Sequence, residues 1–416
     1  MKFSLSVFFY CVLFASIFFD DPHLFYYKRV IYLIFMVISL WELYLFNFKR
    51  YSGDEHIKMP GFYKNYINLF LVFIAYNLVV DFFNPTFSIV TQLNHPFALL
   101  AVVPVFAFKI GYQTMEINKF IKFLFYTCLL FCLLFFLPIP GKNIHGQAII
   151  CYYAVIPLFI FSIVIKKYRL FSIALLLICF YFSHVSENRT IILRILLFFG
   201  LLVSLSLFRK WSFLKLMVIL TVGFFIYQFL TNLDTYLELF KSYTGAKNFD
   251  DEDTRTFLYR EVFGELKAHE LILGRGFQGT YFSEYFLWLQ TNNRDFSGDY
   301  YFRFTVEVGF LQLLLKGGFV FLILYLTPLV ITCYKVLFTR HHSRIAFLIS
   351  IYILCEIFIM FIENIPTYSL QFFIIFFLAG FAYRKATVDD APVLNYKKPL
   401  YDDFDHNAFL QPGAVS

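Results

Sequence analysis

The chain is a succession of apolar runs, most of them about long enough to cross a bilayer, joined by short polar connections. A helix needs about 20 apolar residues to span a hydrocarbon core of about 30 Å, and there every backbone N–H and C=O must be bonded within the segment. By that rule about twelve spans are predicted, at 3–19, 30–48, 65–83, 93–108, 120–138, 148–165, 170–184, 191–208, 212–233, 310–338, 345–363 and 367–383. The seventh is short enough to be broken or tilted. Only 15% of the 416 residues are charged and 60% are hydrophobic, whereas an average globular chain is roughly 25% charged. Such a chain cannot cover itself with a water-compatible surface. A cytosolic enzyme, a disulfide scaffold and a disordered chain are excluded. The first run ends in Phe18-Phe19-Asp20-Asp21 with no small-residue cleavage site, so it is read as a span and not as a removable signal. Cys11, Cys128, Cys132, Cys151, Cys179, Cys333 and Cys355 all lie inside apolar runs, where they read as small buried hydrophobes.

Basic residues set the orientation. On the side shared by both termini the short connections carry Lys49, Arg50, Lys58 and Lys64, then Lys166, Lys167 and Arg169, then Arg209 and Lys210, then Arg384 and Lys385, among others. The short connections on the other side carry only Lys28, Arg29, Lys142 and Arg189. Both termini are therefore expected in the cytoplasm, and because an even number of spans returns the chain to its starting side, this bias also supports twelve. The net charge of +7 follows this topology and is no nucleic-acid signature. The predicted organisation is all-α: membrane helices over 1–233, a folded periplasmic loop over 234–304, membrane helices over 305–384 and a cytoplasmic tail over 385–416. The acidic stretch from Asp402 to His406 reads as a disordered end. No internal repeat or broken-helix pair is visible.

The loop is where chemistry concentrates. It holds eight Lys/Arg and twelve Asp/Glu, and six of the eighteen glycines. From Thr254 to Leu273 the spacing predicts one helix, with Leu258, Val262 and Leu266 on one stripe. Asp253 or Thr254 caps its start, and the acidic run Asp250-Asp251-Glu252-Asp253 meets the positive end of its dipole. The same carboxylates read alternatively as a divalent-metal site. Arg255 and Arg260 diverge by about 140° around such a helix, so both cannot reach one small ligand, whereas Arg255 and Tyr259 can. The arginines either bridge to Glu252, Glu261 or Glu265, or bind phosphate through their planar forks.

Gly274-Arg275-Gly276-Phe277-Gln278-Gly279 has the spacing of a dinucleotide fingerprint but lacks the strand–turn–helix context. It reads as a glycine-rich stop that turns the chain back to the membrane, with Arg275 as a candidate anion binder. The aromatic stretch from Tyr281 to Leu289 reads as an interfacial helix.

Within the spans Glu42, Asp81, Arg194, Lys316, Glu356 and Glu363 are charges that lipid penalises, and so mark sites. Arg189 and Arg194 bracket the start of the eighth span. Asn188-Arg189-Thr190 is formally a glycosylation sequon, but it lies too close to the membrane to serve as one.

This layout resembles that of bacterial polysaccharide polymerases of the Wzy type and the related O-antigen ligases. The resembling pieces are Ser186-Glu187-Asn188-Arg189-Thr190 before span eight, Arg255 through Arg260, Leu273-Gly274-Arg275-Gly276-Phe277, and Asp299-Tyr300-Tyr301-Phe302 running into Glu307-Val308-Gly309-Phe310. The resemblance implies an enzyme of the bacterial inner membrane acting on undecaprenyl-diphosphate-linked oligosaccharides at its periplasmic face. A chain-length regulator and a flippase of the same pathway are the implied partners. An acceptor hydroxyl attacks the anomeric carbon and the lipid diphosphate leaves, with no metal, nucleotide or other cofactor. Developing negative charge on that leaving group is met by preorganised arginines, here Arg189, Arg255, Arg260 and Arg275, with Arg194, Tyr259 and His145 as further substrate contacts. The family's histidine before the tyrosine/glutamate–glycine stretch is missing, because the region reads Ser297-Gly298-Asp299-Tyr300. Asp299, Glu307 or His269 is expected to replace it as base. For His269 a plain surface position on the loop helix stands beside that reading. Three alternatives remain: a ligase transferring glycan to lipid A–core, a transferase using polyprenyl-phosphate sugar with Asp20-Asp21 as its acidic pair, and a transporter coupling ions through Glu42, Asp81 and Lys316.

Overall fold

The computed structural model describes residues 4–19, 27–48, 59–83, 97–113, 117–136, 144–165, 168–185, 189–207, 211–231, 256–292, 301–338, 343–363 and 370–387. These residues are mostly helical. Nine helices precede the loop: α1 (Leu5–Phe19), α2 (Tyr27–Phe48), α3 (Gly61–Phe83), α4 (Phe97–Gln113), α5 (Ile117–Phe136), α6 (Ile144–Ile165), α7 (Arg169–Val185), α8 (Arg189–Leu207) and α9 (Ser212–Thr231). The loop contributes α10 (Thr256–Glu265), α11 (Ala268–Leu273), β1 (Tyr281–Phe282), α12 (Glu284–Asn292) and β2 (Phe302–Arg303). The chain then runs through α13 (Gly309–Phe338), α14 (Arg344–Ile359) and α15 (Leu370–Thr387).

Each of the twelve apolar runs falls on one of these helices. Among the described residues three helices are long and apolar enough to cross a membrane, at Gly61–Phe83, Thr190–Leu207 and Gly309–Phe338. Large apolar side chains such as Val72, Leu177, Leu196, Phe213 and Ile323 stand exposed on helix faces. In water such faces would associate, and lipid is the solvent that suits them.

Close backbone approach holds the helices together. A Cβ at Gly111 on α4 would lie 1.9 Å from the Phe377 carbonyl oxygen of α15, and one at Gly380 would lie 2.0 Å from that of Phe108. Where lipid is as apolar as the side chains, such small-residue contacts are what bind helix to helix. Buried charges are answered by backbone. Glu42 accepts the Ser4 N–H at 2.9 Å at the start of α1, a carboxylate at a helix N-terminus. Lys215 donates to the Leu337 carbonyl near the end of α13.

Three expectations are corrected. The all-α reading misses a two-stranded antiparallel ribbon, in which Tyr281 pairs with Arg303 and Phe282 with Phe302. The aromatic stretch therefore opens as a strand, and its helix begins only at Glu284. The single helix expected up to Leu273 is two, because Lys267 is extended (φ −73°, ψ 161°). Leu258, Val262 and Leu266 are buried as their spacing predicted, but the next position on that stripe is Glu270. With no apolar residue to continue the stripe, the Lys267 N–H bonds the Glu270 carboxylate at 2.8 Å and a new helix starts.

A helix break also occurs where none was visible. Gly318, at φ 61° and ψ −166°, interrupts α13. The break accommodates the loop, since a Cβ on Gly318 would lie 2.3 Å from the Ile272 carbonyl carbon. Arg275 N–H bonds the Leu315 carbonyl at 2.9 Å. The loop core of Leu258, Val262, Leu266 and Tyr281 is continuous with Leu311, Leu314 and Leu315 of α13. Loop and helix thus share one core.

Candidate functional site

The turn that ends α14, Met360–Glu363, is a junction for four segments distant in sequence. Thr190, at the start of α8, donates its hydroxyl to the Glu363 carboxylate. Gly309 and Phe310, at the start of α13, donate their N–H groups to the Glu363 and Met360 carbonyls, each at 2.9 Å. Tyr259 on the loop helix α10 donates to the Phe361 carbonyl at 2.6 Å, and Phe310 stacks on Phe361 with ring centroids 4.9 Å apart. Orphan carbonyls at a helix end need donors, and here the donors come from the loop and two other helices.

Below the junction lies a buried polar cluster. Thr190 and Arg194 are one turn apart on α8, and Glu363 and Glu356 lie two turns apart on and beyond α14, so the two faces oppose each other. Arg194 is 2% exposed. Its Nη1 donates to the Tyr153 hydroxyl, which donates to Glu356 Oε2 at 3.3 Å, while Tyr152 donates to Glu356 Oε1 at 3.1 Å. The guanidinium carbon also sits 5.1 Å from the Tyr153 ring centre and 5.8 Å from that of Tyr152, within cation–π range. Arg194 Nε has no hydrogen-bond partner among the described residues. Arg194 and Glu356 line a cleft with Tyr325, Leu329, Ile359 and Met360 that has room for about one water molecule. The guanidinium is thus linked through the Tyr153 hydroxyl to the Glu356 carboxylate, with one donor, Nε, left over.

Arg275 is the opposite case and corrects the expected anion-binding role. Its Nη1 donates to Glu265 Oε1 at 2.7 Å and to the Thr280 carbonyl at 2.8 Å. Its Nη2 donates to the Glu265 carbonyl at 3.0 Å and to Glu270 Oε2 at 3.2 Å, and Nε lies 3.1 Å from Glu270 Oε1. Nη1 and Nη2 are committed to these groups, and Nε, close to Glu270, makes no hydrogen bond among the described residues. Partial burial opposes the charge on Arg275, but the two glutamates raise its pKa further above an already high value. Burial alone would also raise the Glu270 pKa. The Lys267 N–H and the Arg275 guanidinium outweigh it and hold the carboxyl below its usual range.

Tyr259 is likewise a structural group, since its hydroxyl is committed to Phe361 and burial raises its pKa well above the ordinary tyrosine value. Arg260 and His269 are exposed on α10 and α11. Glu261 and Glu265 accept N–H groups from Tyr285 at 3.0 Å and Phe282 at 2.6 Å. Glu307 pairs with Arg303 at 3.3 Å, beside the junction. Arg189 and His145 begin α8 and α6, with their side chains outside the described residues. Arg255, Asp299, the Asp20-Asp21 pair and the Asp250–Asp253 run also lie outside them.

The ion-coupling charges are engaged within the fold. Lys316 donates to the Gly279 carbonyl at 2.7 Å over the Phe304 ring, and Asp81 accepts the Gln278 N–H at 2.9 Å. Together they hold the glycine turn against the break in α13.

Two sets of residues at the site escaped the sequence reading. Tyr152-Tyr153 carried a signal, since two adjacent hydroxyls inside an apolar run must find partners. Arg303 carried a fainter one, its spacing of four from Glu307. No family model, curated protein or solved structure matches the chain.

Proposed function

We propose that the chain is a multi-pass inner-membrane glycosyltransferase that polymerises oligosaccharide repeat units carried on undecaprenyl diphosphate. In this reading the twelve helical runs all span, both termini are cytoplasmic, and the loop with the Met360–Glu363 junction faces the periplasm. The pathway's flippase supplies the substrate, and a chain-length regulator acts on the product. The acceptor hydroxyl oxygen bonds to the anomeric carbon, the bond from that carbon to the diphosphate breaks, and the lipid diphosphate departs with the electron pair. Arg194 meets the charge that develops there.

The observation that carries the reading is the buried Arg194 beside the junction. Tyr153 links it to the Glu356 carboxylate and its Nε is left without a partner among the described residues, while the loop meets the same turn through Tyr259. The cation set is narrower than the resemblance implied, because Arg275 is spent on Glu265 and Glu270.

The test is gel analysis of surface glycan in a strain lacking the chain and complemented with variants. Without the chain, single-repeat glycolipid accumulates. Arg194→Met, inserted at normal levels, lowers extension by about 10²–10³-fold, the range for removing one preorganised donor to a developing anion. Normal-length polymer with Arg194→Met removes that residue from the mechanism. Full-length polymer left on its lipid carrier in the deletion strain overturns polymerisation in favour of ligation.

A further inference from the structure

We infer that Glu307 is the group that takes the acceptor hydroxyl's proton and that Arg303 is its positioning residue. The inference deepens the polymerase reading above and rests on it.

The backbone around Glu307 is fixed from both sides. Val306 and Val308 are fully buried in the loop core. The Val306 N–H is taken by the Gln312 side chain, and the Gly309 N–H by the Glu363 carbonyl at 2.9 Å. Glu307 itself lies in a bend between these two buried valines. Its side chain is 47% exposed. Gly309 is only two residues on, a reach of at most about 7 Å. Glu307 therefore stands at the rim of the same junction whose Glu363 holds Thr190, one turn above Arg194.

Arg303 is anchored before it meets Glu307. Strand β2 sets it opposite Tyr281, and its guanidinium carbon lies 3.8 Å from the Phe286 ring centre. From there Nη2 reaches Glu307 Oε1 at 3.3 Å. An ion pair this exposed adds little stability. A carboxylate held at one oxygen, on a rigid backbone and open to the outside, is instead the arrangement a general base needs.

In the reaction the hydroxyl oxygen bonds to the anomeric carbon while its proton passes to the Glu307 carboxylate and then to solvent. The electron pair of the broken bond leaves on the lipid diphosphate. Arg303 keeps the carboxylate aimed, and touches neither substrate atom.

Full-length protein in bilayer discs, supplied with the host's lipid-linked repeat units, allows extension to be timed on gels. Glu307→Gln, an isosteric change, lowers kcat at least about 100-fold, the lower range for losing a general base, and leaves KM for the lipid-linked donor within about threefold. Glu307→Ser is the second variant, and gel filtration verifies that both are folded. Arg303→Met lowers kcat about tenfold, while Arg303→Lys recovers most of that loss because it restores the charge. The double variant Arg303→Met/Glu307→Gln is no slower than Glu307→Gln alone, as for residues acting through one group. A folded Glu307→Gln or Glu307→Ser protein with near wild-type kcat overturns the assignment. Losses that multiply in the double variant remove Arg303 as its positioning residue. Wild-type protein that extends no chains overturns the polymerase reading itself, whereas active wild-type with active Glu307 variants overturns only this inference.

Discussion

Arg194 and Arg275 are both guanidinium groups in largely apolar surroundings, and their partners give them different work. Arg275 faces two carboxylates and two carbonyls and ties α10, α11 and the glycine turn together. Arg194 faces tyrosine hydroxyls and, through Tyr153, the Glu356 carboxylate. The Arg275 cluster has a pH signature. The Glu270 carboxyl titrates below its usual range in the folded protein, so its contribution is complete above the unfolded-state pKa of about 4.3 and is lost as pH falls through the folded value. Melting curves from pH 7 to pH 3 are expected to show wild-type protein losing more stability than Glu270→Gln between about pH 5 and pH 3. Parallel curves for the two proteins would show that Glu270 does not stabilise the fold as an ionised group. The sequence marked Arg275 as a notable cation, but nothing local distinguished phosphate from Glu265 as its anion. That choice depended on α10 ending where the Glu265 side chain meets the turn.

At the scale of elements, the break in α13 and the glycine turn fit each other. Gly274 and Gly318 both have positive φ, at 75° and 61°, and a Cβ on Gly274 would lie 2.4 Å from the Gly317 nitrogen. Gly318→Ala must therefore pay twice, through a conformation that L side chains avoid and through a clash with Ile272 backbone. A loss of about 2–4 kcal/mol is expected from strain and overpacking together, read as a lower melting temperature. An alanine at Gly264, which has open space around it, is expected to be neutral or mildly stabilising. Equal melting temperatures for the two variants would refute the fit between turn and break. The turn was legible, since three closely spaced glycines seldom do anything else. The break was not, because Gly317-Gly318 lies inside an apolar run where hydropathy is unchanged by a kink.

At the scale of the whole molecule, the alternating charge of the connections predicts a definite topology. Reporter domains fused after residue 240 are expected to be active only when exported, and fusions after residue 390 only when retained in the cytoplasm. A periplasmic signal from the residue 390 fusion would overturn the proposed orientation and, with it, the proposed periplasmic site.

The apolar runs fall on helices because that choice is local: a backbone among apolar side chains has to satisfy its own hydrogen bonds, and three of the described helices are long and apolar enough to cross a membrane. The buried stripe of Leu258, Val262 and Leu266 and the apolar placement of the cysteines were decided the same way. The meeting of Thr190 with Glu363, 173 residues apart, and of Tyr153 with Glu356, 203 apart, was decided by how helices pack. A charged residue's appearance in a run announces only that it requires a partner. Which partner it takes follows from interlocking backbones at Gly111, Gly380 and Gly318, and that geometry gave Arg275 to the fold and Arg194 to the junction.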